Sequence, residues 1–170
     1  MTDSIKVDYK LDDKQLKNAI EELSAKVSIK VGILGADGSK PIENDKKKLG
    51  TLTMATLGAI HEFGSEKINI PSRSFLQMPI ETRFKDELGK NVGFKTALKE
   101  LNVTKLNDEA GLTATVVIND AFDSGGFGEW APLKEETIRR KTKNGKRGDA
   151  ILIDTGDLRR SITYEVVKQW

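Results

Sequence analysis

Residues 12–35, DDKQLKNAIEELSAKVSIKVGILG, change their hydrophobic period partway along. Leu16, Ala19, Ile20, Leu23 and Val27 recur at the spacing of one helix face. Asp12 stands where a side-chain oxygen can accept from the first free amides, and Gln15 follows three residues later, so a helix over 13–26 is predicted. At Val27 the period switches. Val27, Ile29, Val31 and Ile33 alternate with Ser28, Lys30 and Gly32, which is the signature of a half-buried strand. Gly35 and Gly38 close it.

The same reading extends to both ends. Ile5, Val7 and Tyr9 alternate with charged residues and predict a first strand; Ile162, Tyr164 and Val166 predict a closing one. Between them the pattern is helical. Met54, Leu57, Ile60 and Phe63 mark a short helix over 52–63, with Gly64 placed to end it in a left-handed conformation. Ile68 and Ile70 bracket an extended piece, because Pro71 holds the residue before it away from helical angles. Ser74 with Gln77 can cap the next helix, which Phe84, Leu88 and Val92 continue, and Gly89 and Gly93 predict a break near 90–94. Leu106, Ala110, Ala114, Val117, Ile118 and Ala121 form a clean helical stripe. DSGGFG at 123–128 reads as a loop, and Pro132 as the first turn of a helix ending near Lys141.

Strands at the ends with helices between predict an α+β fold: one domain over 1–170, a small mixed or antiparallel sheet, several packed helices and long polar loops. Two segments are expected as mobile loops. One is 35–50, GADGSKPIENDKKKLG; the other is 139–149, whose first ten residues carry six basic side chains. Trp130, Phe63, Phe75 and Leu133 are assigned to the core.

Composition narrows the chemistry. The chain has 170 residues, 32% of them charged, yet a net charge of only +2, so nothing demands a nucleic-acid or membrane partner. It has no cysteine and one histidine, which leaves no thiolate metal site and makes a zinc site unpromising. No apolar run is long enough to cross a membrane, and MTDSIKVDYK lacks an apolar signal core, so a cytoplasmic place of synthesis is expected.

Four stretches invite a functional reading. Asp154-Thr155-Gly156 has the local form of an aspartic protease nucleus, which needs two carboxylates sharing a proton. Asp157 sits where such enzymes carry a small residue, and a further charge there would disturb that proton. The preferred reading is a helix start capped by Asp154, with Asp157 favouring the helix N-terminus. His61-Glu62-Phe63-Gly64 begins like the zinc-protease sequence but has Ser65 in place of the second histidine, so a satisfied helix-end histidine is preferred. Gly32 to Gly38 follows a strand but lacks the lysine and glycine spacing of a phosphate loop, and reads as a turn. The basic stretch 139–148 has no interleaved aromatics for base stacking, so a solvated loop is preferred over contact with a nucleic-acid backbone. No catalytic, cofactor-binding or metal-ligating residue is assigned, no cofactor is expected, and the chain is read as a non-enzyme.

Three segments, taken in order, resemble a known family. The first is Ala59-Ile60-His61-Glu62-Phe63-Gly64 followed by Ile70-Pro71-Ser72-Arg73-Ser74-Phe75-Leu76. The second is Trp130-Ala131-Pro132-Leu133 with Glu136-Thr137-Ile138 and Lys141. The third is Ile151-Leu152-Ile153-Asp154-Thr155-Gly156-Asp157-Leu158 with Ser161-Ile162. Together, over roughly 50–167, they resemble the tail-completion, or head–tail joining, proteins of long-tailed bacteriophages, also called virion morphogenesis proteins. Ser74 departs from the family, which commonly has a second proline there, and the 35–50 loop is longer and more basic.

The resemblance implies a structural protein of the virion neck, made in the host cytoplasm. It implies connector or adaptor proteins on one side and the tail terminator or tail tube on the other as partners. It also implies a homo-oligomeric ring, commonly six-fold, with packaged DNA nearby and a monomer in isolation. The alternative is a nucleic-acid-binding accessory protein using 139–148. An enzyme centred on Asp154 or on His61-Glu62 is the third reading.

Overall fold

A computed structural model describes residues 12–39, 42 and 52–169. The predicted first strand at 5–9 and most of the 35–50 loop lie outside them. The fold is α+β. Helix α1 (Asp13–Ser24) starts as expected, with the Asp12 carboxylate accepting from the Lys14 amide at 3.0 Å. Strand β1 (Lys26–Ile33) follows after one residue and pairs antiparallel with the closing strand β2 (Ile162–Gln169), from Lys26 opposite Gln169 to Ile33 opposite Ile162. The strand after α1 and the last described strand therefore meet in one two-stranded sheet.

The sheet lies against the long helix α7 (Val103–Ser124). Gly111 sets that approach: a Cβ there would stand 2.2 Å from the Tyr164 ring of β2. Asn102 caps α7 by accepting from the Lys105 amide at 2.9 Å, and Gly125 ends it in the left-handed region at φ 65°. The core gathers on its C-terminal half. Ile118, Ala121 and Phe122 pack with Phe75, Trp130, Leu158 and Met54, and the Phe122 ring meets Phe75 and Trp130 edge-on at 5.4 and 5.8 Å.

Shorter helices surround this core. A five-residue helix, α2 (Gly35–Ser39), opens the segment expected as a loop. Helix α3 (Met54–Phe63) is capped by Thr53, whose hydroxyl accepts from the Thr56 amide. The piece after it is not extended: Glu66–Ile68 form a single 3-10 turn, closed by a pair of hydrogen bonds between Ser65 and Ile70. Helix α4 (Gln77–Pro79) runs through a π-helical stretch (Ile80–Phe84) into α5 (Lys85–Lys90). The expected break falls at Asn91, which caps α6 (Val92–Lys99) by accepting from the Phe94 amide at 2.9 Å. Residues 131–134 stay outside the next helix, so Pro132 precedes α8 (Glu135–Lys143) instead of starting it. The last helix, α9 (Asp157–Arg160), is tied to α7 by a bidentate pair of Arg159 with Asp123, both contacts at 2.6 Å.

Two further expectations need correction. The segment beginning at 139 is not a loop throughout: its first five residues are the last turns of α8, as suits arginine and lysine, good helix formers that also favour a helix C-terminus. Phe63 is not core. It is 75% exposed, whereas Trp130 and Phe75 are buried and Leu133 is half-buried.

Candidate functional site

The three segments singled out in the sequence meet in one place, and buried charges hold them, one within the first segment and two between segments. Glu62, on the inner face of α3, is the first. One carboxylate oxygen accepts from the Ser74 hydroxyl at 2.6 Å and the Gln77 amide at 3.0 Å; the other accepts from the amides of Phe75 and Leu76 at 2.7 and 2.9 Å. A carboxylate offers about four lone-pair directions, so Glu62 is saturated. It does for the start of α4 what a local cap would do, from 13 residues upstream of Phe75. Ser74 adds a second cap by accepting from the Met78 amide at 2.9 Å.

Gly64 makes that placement possible. At φ 76°, ψ 178° it turns the chain sharply after α3, in a region open to glycine alone and distinct from the left-handed cap expected of it. A Cβ there would stand 2.7 Å from the Ser72 amide nitrogen. The returning chain is held by the Arg73 amide, which donates to the His61 carbonyl at 2.8 Å, and by the Ser72 hydroxyl, which donates to the Glu62 carbonyl at 2.7 Å.

Arg73 is the second buried charge. Its guanidinium donates to the carbonyls of Ala131 and Pro132 at 2.9 and 3.2 Å, joining the first segment to the second. The Trp130 indole N–H strengthens the join by donating to the Ser74 carbonyl at 3.0 Å. Lys141 is the third. Its ammonium donates to the carbonyl of Ala150 and, at 2.7 Å, to that of Ile153, joining the second segment to the third. Leu152, between those acceptors, takes a left-handed φ of 58° that bends the chain around the lysine. Burial pulls both Arg73 and Lys141 below their ordinary pKa values; Asp154 and Asp149 oppose this at Lys141.

These elements wall a cleft of about 1160 Å³. Among the described residues its floor is apolar, with Ile42, Met54, Leu57, Leu133 and Ile153, and its lining carries five lysines and arginines against two aspartates. Lys134 and Arg140 make no ion pair among the described residues.

His61 also lines the cleft, and its Nδ1 is buried without a hydrogen-bond partner. The expected satisfied histidine is therefore not found. Burial first, and Arg73 second, hold its pKa below 6.5.

The other motifs are also engaged. Asp154 does not cap α9; it pairs with Lys146 at 2.5 Å, and Gly156, at φ 82°, takes the cap position. The Thr155 hydroxyl, and after it the Arg160 guanidinium, donate to the Asp157 carboxylate and hold its pKa below the ordinary value. Within 139–148, Arg139 pairs with Glu135 at 2.8 Å and Arg147 with Asp149 at 3.6 Å, while Lys141 is buried. Among the described residues no three histidine or acidic side chains converge as metal ligands, and no helix is long and apolar enough to cross a membrane.

The sequence reading placed the segments but not their partners. Nothing in the local pattern at Arg73 or Lys141 distinguishes a buried charge from a solvated one. In comparisons with known proteins, no family model, curated protein or solved structure matches the chain.

Proposed function

We propose that the chain is a structural protein of the neck of a long-tailed bacteriophage, completing the junction between head and tail as a subunit of a homo-oligomeric ring. The carrying observation is where the resemblance falls. Its three segments are held by four side chains: Glu62 ties the two halves of the first segment together, while Arg73, Trp130 and Lys141 are each committed to carbonyls of another segment. Residues used in this way specify a fold. The saturated carboxylate of Glu62 and the ion-paired Asp154 are both committed to other groups, which favours a structural over a catalytic role for these two residues. The pairing and burial within 139–148 likewise leave fewer free cations for a nucleic-acid backbone than the sequence suggested.

The test is a nonsense mutation of the gene in its phage or prophage, with lysates viewed by negative-stain electron microscopy. The expected result is DNA-filled heads and finished tails that remain separate and join when purified protein is added. Intact infectious particles would remove the reading.

A further inference from the structure

We propose that α1 of one copy docks into the cleft of a second copy, making a head-to-tail contact between two different patches of the same chain. This rests on the reading of the protein as a ring subunit, and it names the joint.

Helix α1 is amphipathic with its apolar stripe turned the wrong way for a core. Ala19 is buried, but Leu16, Ile20 and Leu23 are 37, 54 and 66% exposed. These three side chains span roughly 10 Å of helix axis at about 1.5 Å per residue. The helix bearing the stripe is net acidic, with Asp12 at its cap and Asp13, Glu21 and Glu22 along it against Lys14 and Lys17. The cleft is its complement: an apolar floor with an excess of basic groups, Lys134 and Arg140 among them exposed and without an ion pair among the described residues. An amphipathic helix laid in an apolar groove with opposite charge at the rim is a common mode of recognition.

No residue of α1 lines the cleft. The two patches are separate, so the contact is heterologous and repeats from copy to copy, closing into a ring where the rotation allows. Nucleic acid is the poorer occupant. Two aspartates stand in the lining, and no phenylalanine, tyrosine or tryptophan lines the cleft among the described residues.

The chain has no cysteine, so introduced thiols report cleanly. Full-length Ile20→Cys and Thr137→Cys proteins, tagged differently, are mixed over a concentration series and treated with a short bis-maleimide. Both positions are on helices and solvent-accessible, and Leu23→Cys with Lys134→Cys serves as a second pair. The expected product is the mixed dimer, exceeding either same-variant dimer, and falling about tenfold when the Thr137→Cys partner also carries Arg140→Glu, which sets like charges together. A dominant Ile20–Ile20 position product, no product from either pair, or protection of Thr137→Cys by added duplex DNA would overturn the inference. Cross-linking by a protein that is dispensable for head–tail joining would remove the neck reading and leave this contact standing. A protein that restores joining without cross-linking would do the reverse.

Discussion

Glu62 accepts from four protein donors, three of them the amides of Phe75, Leu76 and Gln77, so losing it orphans those amides. Glu62→Gln keeps the size but turns an amide NH2 toward N–H groups that already donate. We expect it to lower unfolding free energy by about 3 kcal/mol or more, read from urea denaturation, since bonds to a charged acceptor contribute roughly 1.5–3 kcal/mol each. An unchanged midpoint would mean that the chain between α3 and α4 is held by something else. His61 gives a pH signature. Its folded pKa is depressed, so as pH falls below about 6.5 the unfolded chain takes up the proton first and the fold loses stability until the folded value is passed. Being the only histidine, it should account for most of the slope between about pH 6.5 and 5, above the ordinary carboxylate range. In His61→Gln that part of the stability curve should be flat.

At the scale of elements, two helix glycines separate packing from propensity. Gly111→Ala pushes α7 off the Tyr164 ring and should cost about 1–3 kcal/mol by overpacking. Gly89→Ala meets nothing within 4 Å on α5 and should stabilise by up to about 1 kcal/mol. Thermal denaturation of the pair should move in opposite directions. Elements are also where the sequence was most legible. The switch of period at Val27 located the passage from α1 to β1 within two residues, α1 ending at Ser24 and β1 starting at Lys26 where a helix to 26 is predicted, and the glycines at 89 and 93 located the break at Asn91. Phe63 shows how a period can mislead. Met54, Leu57, Ile60 and Phe63 recur every three residues, but a helix turns about 100° per residue, so nine residues place Phe63 half a turn from Met54. The buried face is instead Met54, Gly58 and Glu62. Reading Glu62 as part of an unmatched zinc motif hid that it belongs to this inner face.

At the scale of the molecule, the core and the outer apolar residues should respond differently. Trp130→Ala removes an indole from the aromatic stack together with its bond to the Ser74 carbonyl, and should cost about 3–5 kcal/mol, seen as loss of cooperative unfolding at moderate temperature. Phe63→Ser should leave the midpoint within about 0.5 kcal/mol. A large loss there would place Phe63 in a core that its exposure denies. The sequence carried the segments of this core in their right order, because each has its own local pattern. It did not carry their mutual contacts, which depend on Arg73 and Lys141 reaching carbonyls 58 and 12 residues away.

Those reaches end on peptide groups, the Ser74 hydroxyl at Glu62 excepted. Glu62 takes amides, while Arg73 and Lys141 give to carbonyls, and every residue type supplies a carbonyl. The architecture is therefore asymmetric toward substitution. A change at Glu62, Arg73 or Lys141 removes a fastening, while a change of side chain at Ala131 or Ile153 leaves the carbonyl it presents in place. Over long divergence, three fixed side chains could hold this fold while the segments they grip drift in identity.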